Sequence, residues 1–255
     1  AIARLAQSKG ARIRTNASVQ AIHQQHNRVE SIELSDGECI PADYVVFNGD
    51  INVLRQGLMG ASMRSAVSNS IPSSRSLSAL TWSMKVKTSG FPLVRHNVFF
   101  NRHYSHEFTD IFEHKSYPNE PTVYVCAQDR SDSGAALEQE ERLLCLVNAP
   151  AIGDHEINQK EIDRCEQTAF TLLKQCGLEL QESSHSTIRT SPTEFNRLFP
   201  GRGGALYGQA THGWMSSFQR SNALTQIENL FLVGGSVHPG PGVPMAALSG
   251  RQAVA

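Results

Sequence analysis

Near the C-terminal end, Gly234-Gly-Ser-Val-His-Pro-Gly-Pro-Gly-Val-Pro-Met245 offers a ligand little except backbone. Leu230–Val233 is a short apolar run of strand length; Gly234 and Gly235 break it, and His238, Pro239, Gly240, Pro241 and Gly242 form a rigid turn. Val243-Pro244-Met245-Ala-Ala-Leu then reads as a helix start, with Pro244 in the first turn, where a missing N–H costs nothing. A buried strand that passes through bare backbone into a helix N-terminus presents free N–H groups and the positive end of the helix dipole. Such a site holds an anionic or electron-rich ligand. The plain alternative is an ordinary strand–turn–helix connection.

A second group, Tyr207, Trp214, Met215 and Phe218, lies among small residues just upstream. It reads either as core packing or as an apolar wall beside a cofactor, suited to a long hydrocarbon substrate. Gly201-Arg-Gly203-Gly204-Ala-Leu-Tyr-Gly208 has the outline of a dinucleotide loop. Leu206, however, stands at the third glycine position, and Phe199-Pro200 rather than a strand precedes it, so a solvent-exposed or ligand-facing turn fits better. No intact G-x-G-x-x-G or Walker sequence occurs elsewhere. His103 and His106, beside Glu107, lack a third distant ligand, so they read as a polar surface loop and no metal is expected. His212 and His238 read as hydrogen-bonded structural groups. Without a Gly-x-Ser-x-Gly sequence or a basic–aromatic stripe, nothing points to hydrolysis or nucleic-acid binding.

The 255 residues suffice for one large domain or two modest ones with a sizeable core. At 40% hydrophobic and 18% charged, the composition is that of a globular protein. A net charge of -1 supplies no global field for nucleic acid or an anionic membrane. Cys39, Cys126, Cys145, Cys165 and Cys176 are scattered, which argues for reduced thiols in a cytoplasmic setting. No run approaches the ~18 apolar residues of a membrane span. The chain opens in helical rhythm without Met and stops inside a helix, as a fragment of a longer protein would.

Alternation at 11–15, 19–22 and 29–34, an Asp36-Gly37 turn and an apolar run at 42–47 predict a helix followed by a β-meander, its last strand in a central sheet. A weakly helical stretch follows, from 51 to about 74. Ser76–Lys87 alternates as a long strand whose face Ser78, Leu80, Trp82, Met84, Val86 is strongly apolar. Strands are predicted at 98–100, 122–127, 142–148 and 182–190, with an amphipathic helix over 158–175 that stops at Gly177. A chain that leaves one sheet, builds an antiparallel second and returns describes an α+β protein of two domains, divided at 1–50, 51–190 and 191–255.

At this point the residues resemble a known family. Gly234-Gly-Ser-Val-His-Pro-Gly-Pro-Gly-Val-Pro-Met-Ala-Ala-Leu-Ser-Gly-Arg251 resembles the C-terminal FAD signature of the carotenoid and phytoene desaturases, within the flavin amine-oxidase superfamily. The stretches 10–19 and 29–48 are similar to that family's β-meander. Gly204–Arg220 most resembles the branch that desaturates hydroxylated or methoxylated carotenoids at the 3,4 position.

The resemblance implies an amine-oxidase-like two-domain FAD fold, an α/β FAD-binding sheet fragment plus an antiparallel substrate domain. It is truncated, because the family's N-terminal G-x-G-x-x-G segment is missing from these residues. Gly234, Gly235 and Ser236 would face the ribityl and pyrophosphate region. His238, Pro239, Gly240, Gly242, Val243, Pro244 and Met245 would form the turn and helix start against the isoalloxazine, and the strand at Val19 would hold the adenine. Trp82, Met84, Tyr207, Trp214 and Phe218 are the expected substrate wall.

The implied reaction is FAD-dependent carotenoid desaturation, with hydride passing to flavin N5 and the electrons leaving to a quinone or oxygen. No catalytic acid or base is assigned, since delocalisation along the polyene stabilises a developing cation. Alternatives are a polyene isomerase or saturase with the same flavin site, and a non-catalytic binder of apolar ligands. The lipid-soluble substrate adds peripheral membrane contact to the expected cytoplasmic location. The 255 residues alone are expected to bind FAD weakly or not at all.

Overall fold

The computed structural model describes residues 1–68, 74–131, 139–156, 158–182, 187–210 and 220–254. In chain order, α1 (Ile2–Ser8) precedes a meander of β1 (Val19–Gln25), β2 (Arg28–Leu34) and β3 (Cys39–Pro41). Antiparallel pairing gives the order β1-β2-β3, and the β2–β3 turn places Gly37 at φ 88°, as its Asp-Gly pair requires. β4 (Val45–Phe47) leads into α2 (Ile51–Arg55), which Asp50 caps by accepting from Asn52 N at 2.8 Å. Of the weakly helical stretch expected from 51 to about 74, the part described to residue 68 contains a five-residue helix and a 3-10 turn at Ala61–Ala66, and 69–73 lie outside the described residues.

β5 (Ser78–Gly90) starts the large sheet, followed by β6 (His96–Phe99), α3 (Tyr104–Thr109), β7 (Val123–Ala127) and β8 (Glu141–Ala149). Then come α4 (Gln159–Gln175), β9 (Leu178–Glu182), β10 (Ile188–Thr190), α5 (Pro192–Leu198), β11 (Leu230–Leu232) and α6 (Val243–Ala253). The sheet is antiparallel in the order β10-β5-β8-β7-β6, with β9 also on β5.

One face of this sheet is covered by α4. Leu80, Trp82, Met84 and Val86 of β5 pack with Val123, Val125, Leu143, Cys145 and Val147 against Ile162, Cys165, Ala169 and Leu173. Trp82 is 1% exposed and meets Phe170 edge-on, with ring centroids 5.2 Å apart. Burial pushes the Cys145 and Cys165 thiols up to about 12, so neither is a nucleophile at neutral pH. All five cysteines are free.

Three expectations differ. Residues 11–15 are not a strand: they find no ladder partner, and Arg14 instead pairs with Glu38 at the surface. The strand at β4 is not buried on both faces. Among the described residues it pairs only with β11, in parallel, and Tyr44 and Val46 stay 67% and 51% exposed, whereas parallel strands usually have both faces covered. The polar tract around His103 contains α3 and a π turn at Asp110–His114; buried Glu107 anchors it by accepting from Thr122 N and Asn148 Nδ2. Among the described residues no helix is long and apolar enough to cross a membrane.

Candidate functional site

Leu230, Phe231 and Leu232 lie beside Val45, Val46 and Phe47 in parallel register, so β4 and β11 end together. Ligands of open parallel sheets bind beyond such strand ends. After β4 the chain runs through Asn48-Gly49-Asp50; after β11, Val233 N bonds to Phe47 O at 3.0 Å and the chain turns at Gly234. Gly234 has φ 105°, a conformation that favours glycine, and a Cβ there would stand 2.3 Å from Asn48 Oδ1, so the Asn48 side chain would have to shift as well. Ser249 of α6 accepts from Gly234 N at 2.8 Å and donates to Ala246 O, which pins the helix against the turn.

A cavity of about 300 Å³ lies beyond the strand ends, lined by Asn48, Gly49, Asp50, Gly235 and Ser236 on one side and by Arg202 and Gly204–Gly208 on another. Gly235 and Ser236 are thus at the cavity, and Gly234 forms the turn behind them. The turn continues through a cis His238–Pro239 bond, and His238 N bonds to Ser221 O at 2.7 Å. Gly240 is buried, whereas Gly242, at φ 111°, opens α6 with no capping side chain. Val243 and Met245 are 84% and 43% exposed, so the helix N-terminus is open to a ligand.

Buried arginines support the cavity. Arg202, 2% exposed, holds both oxygens of Asp50 from Nε at 3.0 and 3.1 Å. Arg220, 6% exposed, donates to Gly235 O, Tyr207 O and Gln209 O at 3.1, 3.2 and 3.0 Å. Burial lowers the Arg220 pKa from its ordinary value and Arg202 lowers it further, with Asp50 opposing. Neither arginine was singled out from sequence. A partner 152 positions away, as Asp50 is from Arg202, leaves no local pattern.

Next to this cavity is a second of about 450 Å³, whose apolar wall is Ile111, Phe112, Pro150, Ala151 and Ile152. Arg75, Lys115 and His155 also line it. Ser76 lines this second cavity and Tyr207 the first, and Tyr207 N bonds to Ser76 Oγ at 3.0 Å, so the two share a wall.

Of the expected substrate wall, the structure brings Tyr207 to the cavity, 55% exposed. Trp82 and Met84 point the other way, into the core beneath α4. Alternation identifies an apolar face without saying whether a helix or a ligand covers it. Trp214 and Phe218 lie outside the described residues. Val19 begins β1 opposite Leu34 and does not line the cavity. Instead the meander reaches the site through Asn229, which accepts from Val29 N and donates to Val29 O and Asp43 O, with Val45 N bonded to its carbonyl.

Among the described residues one group of metal-capable side chains gathers, His23, Glu33 and Cys39 on the meander, and its His23 Nε2 already pairs with Glu33 Oε2 at 2.8 Å.

The model of the family described as flavin containing amine oxidoreductase matches residues 1–255. Over 254 residues the chain is 52% identical to a hydroxyneurosporene desaturase of Rubrivivax gelatinosus, covering 99% of this chain and 48% of that protein. Over 251 residues it is 30% identical to a 1-hydroxycarotenoid 3,4-desaturase of Flavobacterium sp., covering 97% and 50%. The chain thus spans about half the length of the curated relatives it matches. A crystal structure of an oxidoreductase from Methanosarcina mazei superposes on 98% of this chain and 51% of its own, with a TM-score of 0.56 at 13% identity, a likeness of fold.

Proposed function

Because the chain belongs to the flavin containing amine oxidoreductase family, we propose that it is the isoalloxazine-contacting part of an FAD-dependent carotenoid desaturase. The fold has the mixed α/β content and antiparallel sheet of that family. The observation that carries the proposal is the paired end of β4 and β11. There a glycine-walled cavity opens, the turn that leaves it at Gly235 and Ser236 leads into an uncapped helix N-terminus, and the buried guanidinium of Arg220 holds the Gly235 carbonyl from behind. These features suit an electron-rich ring system that takes up negative charge. The bound flavin would supply a hydride acceptor, and oxidation of the substrate also releases a proton from the adjacent carbon, adding one C=C bond to a polyene.

The chain's own residues orient and exclude water. Gly235 and Ser236 present backbone to the cofactor's ribityl side, and the start of α6 presents N–H groups and the helix dipole to its ring. Ile111, Phe112, Pro150 and Ile152 give the polyene a dry path beside it. In this proposal residues 1–50 and 191–255 serve the cofactor and 51–190 the substrate. Trp214 and Phe218 remain assigned to the substrate wall, and Val19 to the strand nearest the adenine. The hydroxylated end of a carotenoid is the proposed substrate feature, after the names of the two relatives. A quinone or oxygen takes the electrons, and the lipid-soluble substrate draws the protein to a membrane surface.

The exposed face at Tyr44 and Val46 suits a covering layer from a dinucleotide-binding unit whose glycine loop these residues lack. FAD titration followed by flavin fluorescence therefore gives tight one-to-one binding by protein extended N-terminally to its relatives' length. It gives weak binding or none by residues 1–255 alone. Tight binding by the 255 residues would overturn the split-site assignment.

A further inference from the structure

Arg220 holds the turn beside the cavity without lining the cavity itself. A charge taken out of water is costly unless it is paired, and three carbonyl bonds occupy three of its five N–H donors without cancelling its charge. Among the described residues no carboxylate reaches it. The one acidic group beside the cavity, Asp50, is already claimed by Arg202. Two buried cations therefore share one anion. Arg55 stands near the same group, held by Asn52 and Ser68, and its pKa is lowered by burial and by Arg202.

The position of Arg220 is specific. One Nη grips the carbonyl of Gly235, and Nε would be 3.4 Å from a Cβ built on Gly240. The guanidinium is thus wedged behind the turn that begins at Gly235 and ends at Gly240. Its other Nη holds Tyr207 and Gln209, in the segment that forms the opposite wall of the cavity. One side chain ties the two walls together and places a positive charge behind the glycine turn.

We propose that Arg220 is a positioning residue whose charge, only partly offset by Asp50, favours the reduced anionic state of a flavin bound against the Gly235–Gly240 turn. This rests on the flavin site proposed above. Reduction adds two electrons and one proton, a hydride, and leaves a net negative charge on the ring; oxidation of the substrate supplies that hydride. A fixed cation behind the turn stabilises this added charge without reorganising. Asp50 acts in the opposite sense.

The test is the flavin midpoint potential of the full-length protein, measured by equilibration with redox dyes. Arg220→Gln lowers it, so that the reduced-to-oxidised ratio at a fixed potential falls about tenfold, near 30 mV for a two-electron couple. Arg220→Lys keeps the charge and stays close to the wild-type potential. Asp50→Asn, which removes the opposing charge with little change of shape, raises the potential by a similar amount. Equal shifts in the Gln and Lys variants, or a fall with Asp50→Asn, would show that the residue is only a clasp. If Arg220→Gln fails to retain flavin, the Lys and Asn variants decide. A full-length wild-type protein that binds no flavin would instead remove the site itself.

Discussion

Gly204→Ala lowers the stability of the full-length protein by about 4 kcal/mol and reduces its flavin content. Gly204 has φ 80°, and a Cβ on it would lie 2.2 Å from Pro192 O and 3.0 Å from Pro192 C, both backbone atoms at the start of α5. The positive φ costs an alanine about 1–3 kcal/mol and the forced shift against a fixed wall about as much again. Gly204 O also accepts the buried Ser78 hydroxyl at 2.7 Å, so displacing it disturbs the first residue of β5 as well as the cavity it lines. Gly37→Ala is the control. It has φ 88° with nothing within 4 Å, so it carries the backbone strain without the clash. Urea unfolding of both variants separates the two terms, and a Gly204 variant no less stable than the Gly37 variant would contradict the packing described.

Glu141→Gln is the second large effect, about 3–5 kcal/mol at neutral pH, because it leaves a buried cation uncompensated. Glu141 and Arg130 have side chains 1% and 3% exposed and are joined by two bonds, Nε–Oε2 at 2.8 Å and Nη2–Oε1 at 2.6 Å. Thr88 donates to the same carboxylate, and Arg130 Nη1 donates to Leu93 O. The network closes the far end of the large sheet, where β5 and β8 meet the segment before β6. Burial alone would raise the Glu141 pKa, but the bonds from Arg130 and Thr88 and the charge of Arg130 outweigh it, and the net shift is downward.

A carboxylate depressed in the folded state contributes stability that is fully present above its unfolded pKa of about 4.3 and is lost as pH falls through the folded value. The stability gap between wild type and Glu141→Gln therefore narrows below about pH 4. A gap that stays constant from neutral to acid pH would show that the ion pair is not its source.

What could be read from the residues, and what could not, follows from the range of the interactions. The strand–glycine–helix at 230–253 was legible because each part is local: an apolar run, residues that tolerate positive φ, a proline in a first turn. The large sheet was legible from period-two alternation, including β5, β7 and β8, and α4 from its apolar stripe. The strand expected at 11–15 had the alternation but no partner, and alternation does not count partners. Trp82 and Met84 share an apolar face, yet only the placement of α4 shows which side of the sheet that face covers. Arg202, Arg220, Asn229 and Ser249 are invisible to local patterns. Asn229 meets Val29 two hundred positions away, and Ser249 matters only because α6 folds back onto Gly234.

The central claim is that this chain forms the flavin-ring side of a carotenoid desaturase. The most direct measurement is an anaerobic single turnover of the full-length, FAD-loaded protein with a 1-hydroxylated carotenoid, following the flavin spectrum and the pigment together. The account predicts that the oxidised flavin bleaches as the pigment gains one conjugated double bond and loses two hydrogens, in equal amounts. A loaded protein whose flavin stays oxidised while the carotenoid is isomerised or left unchanged would contradict it.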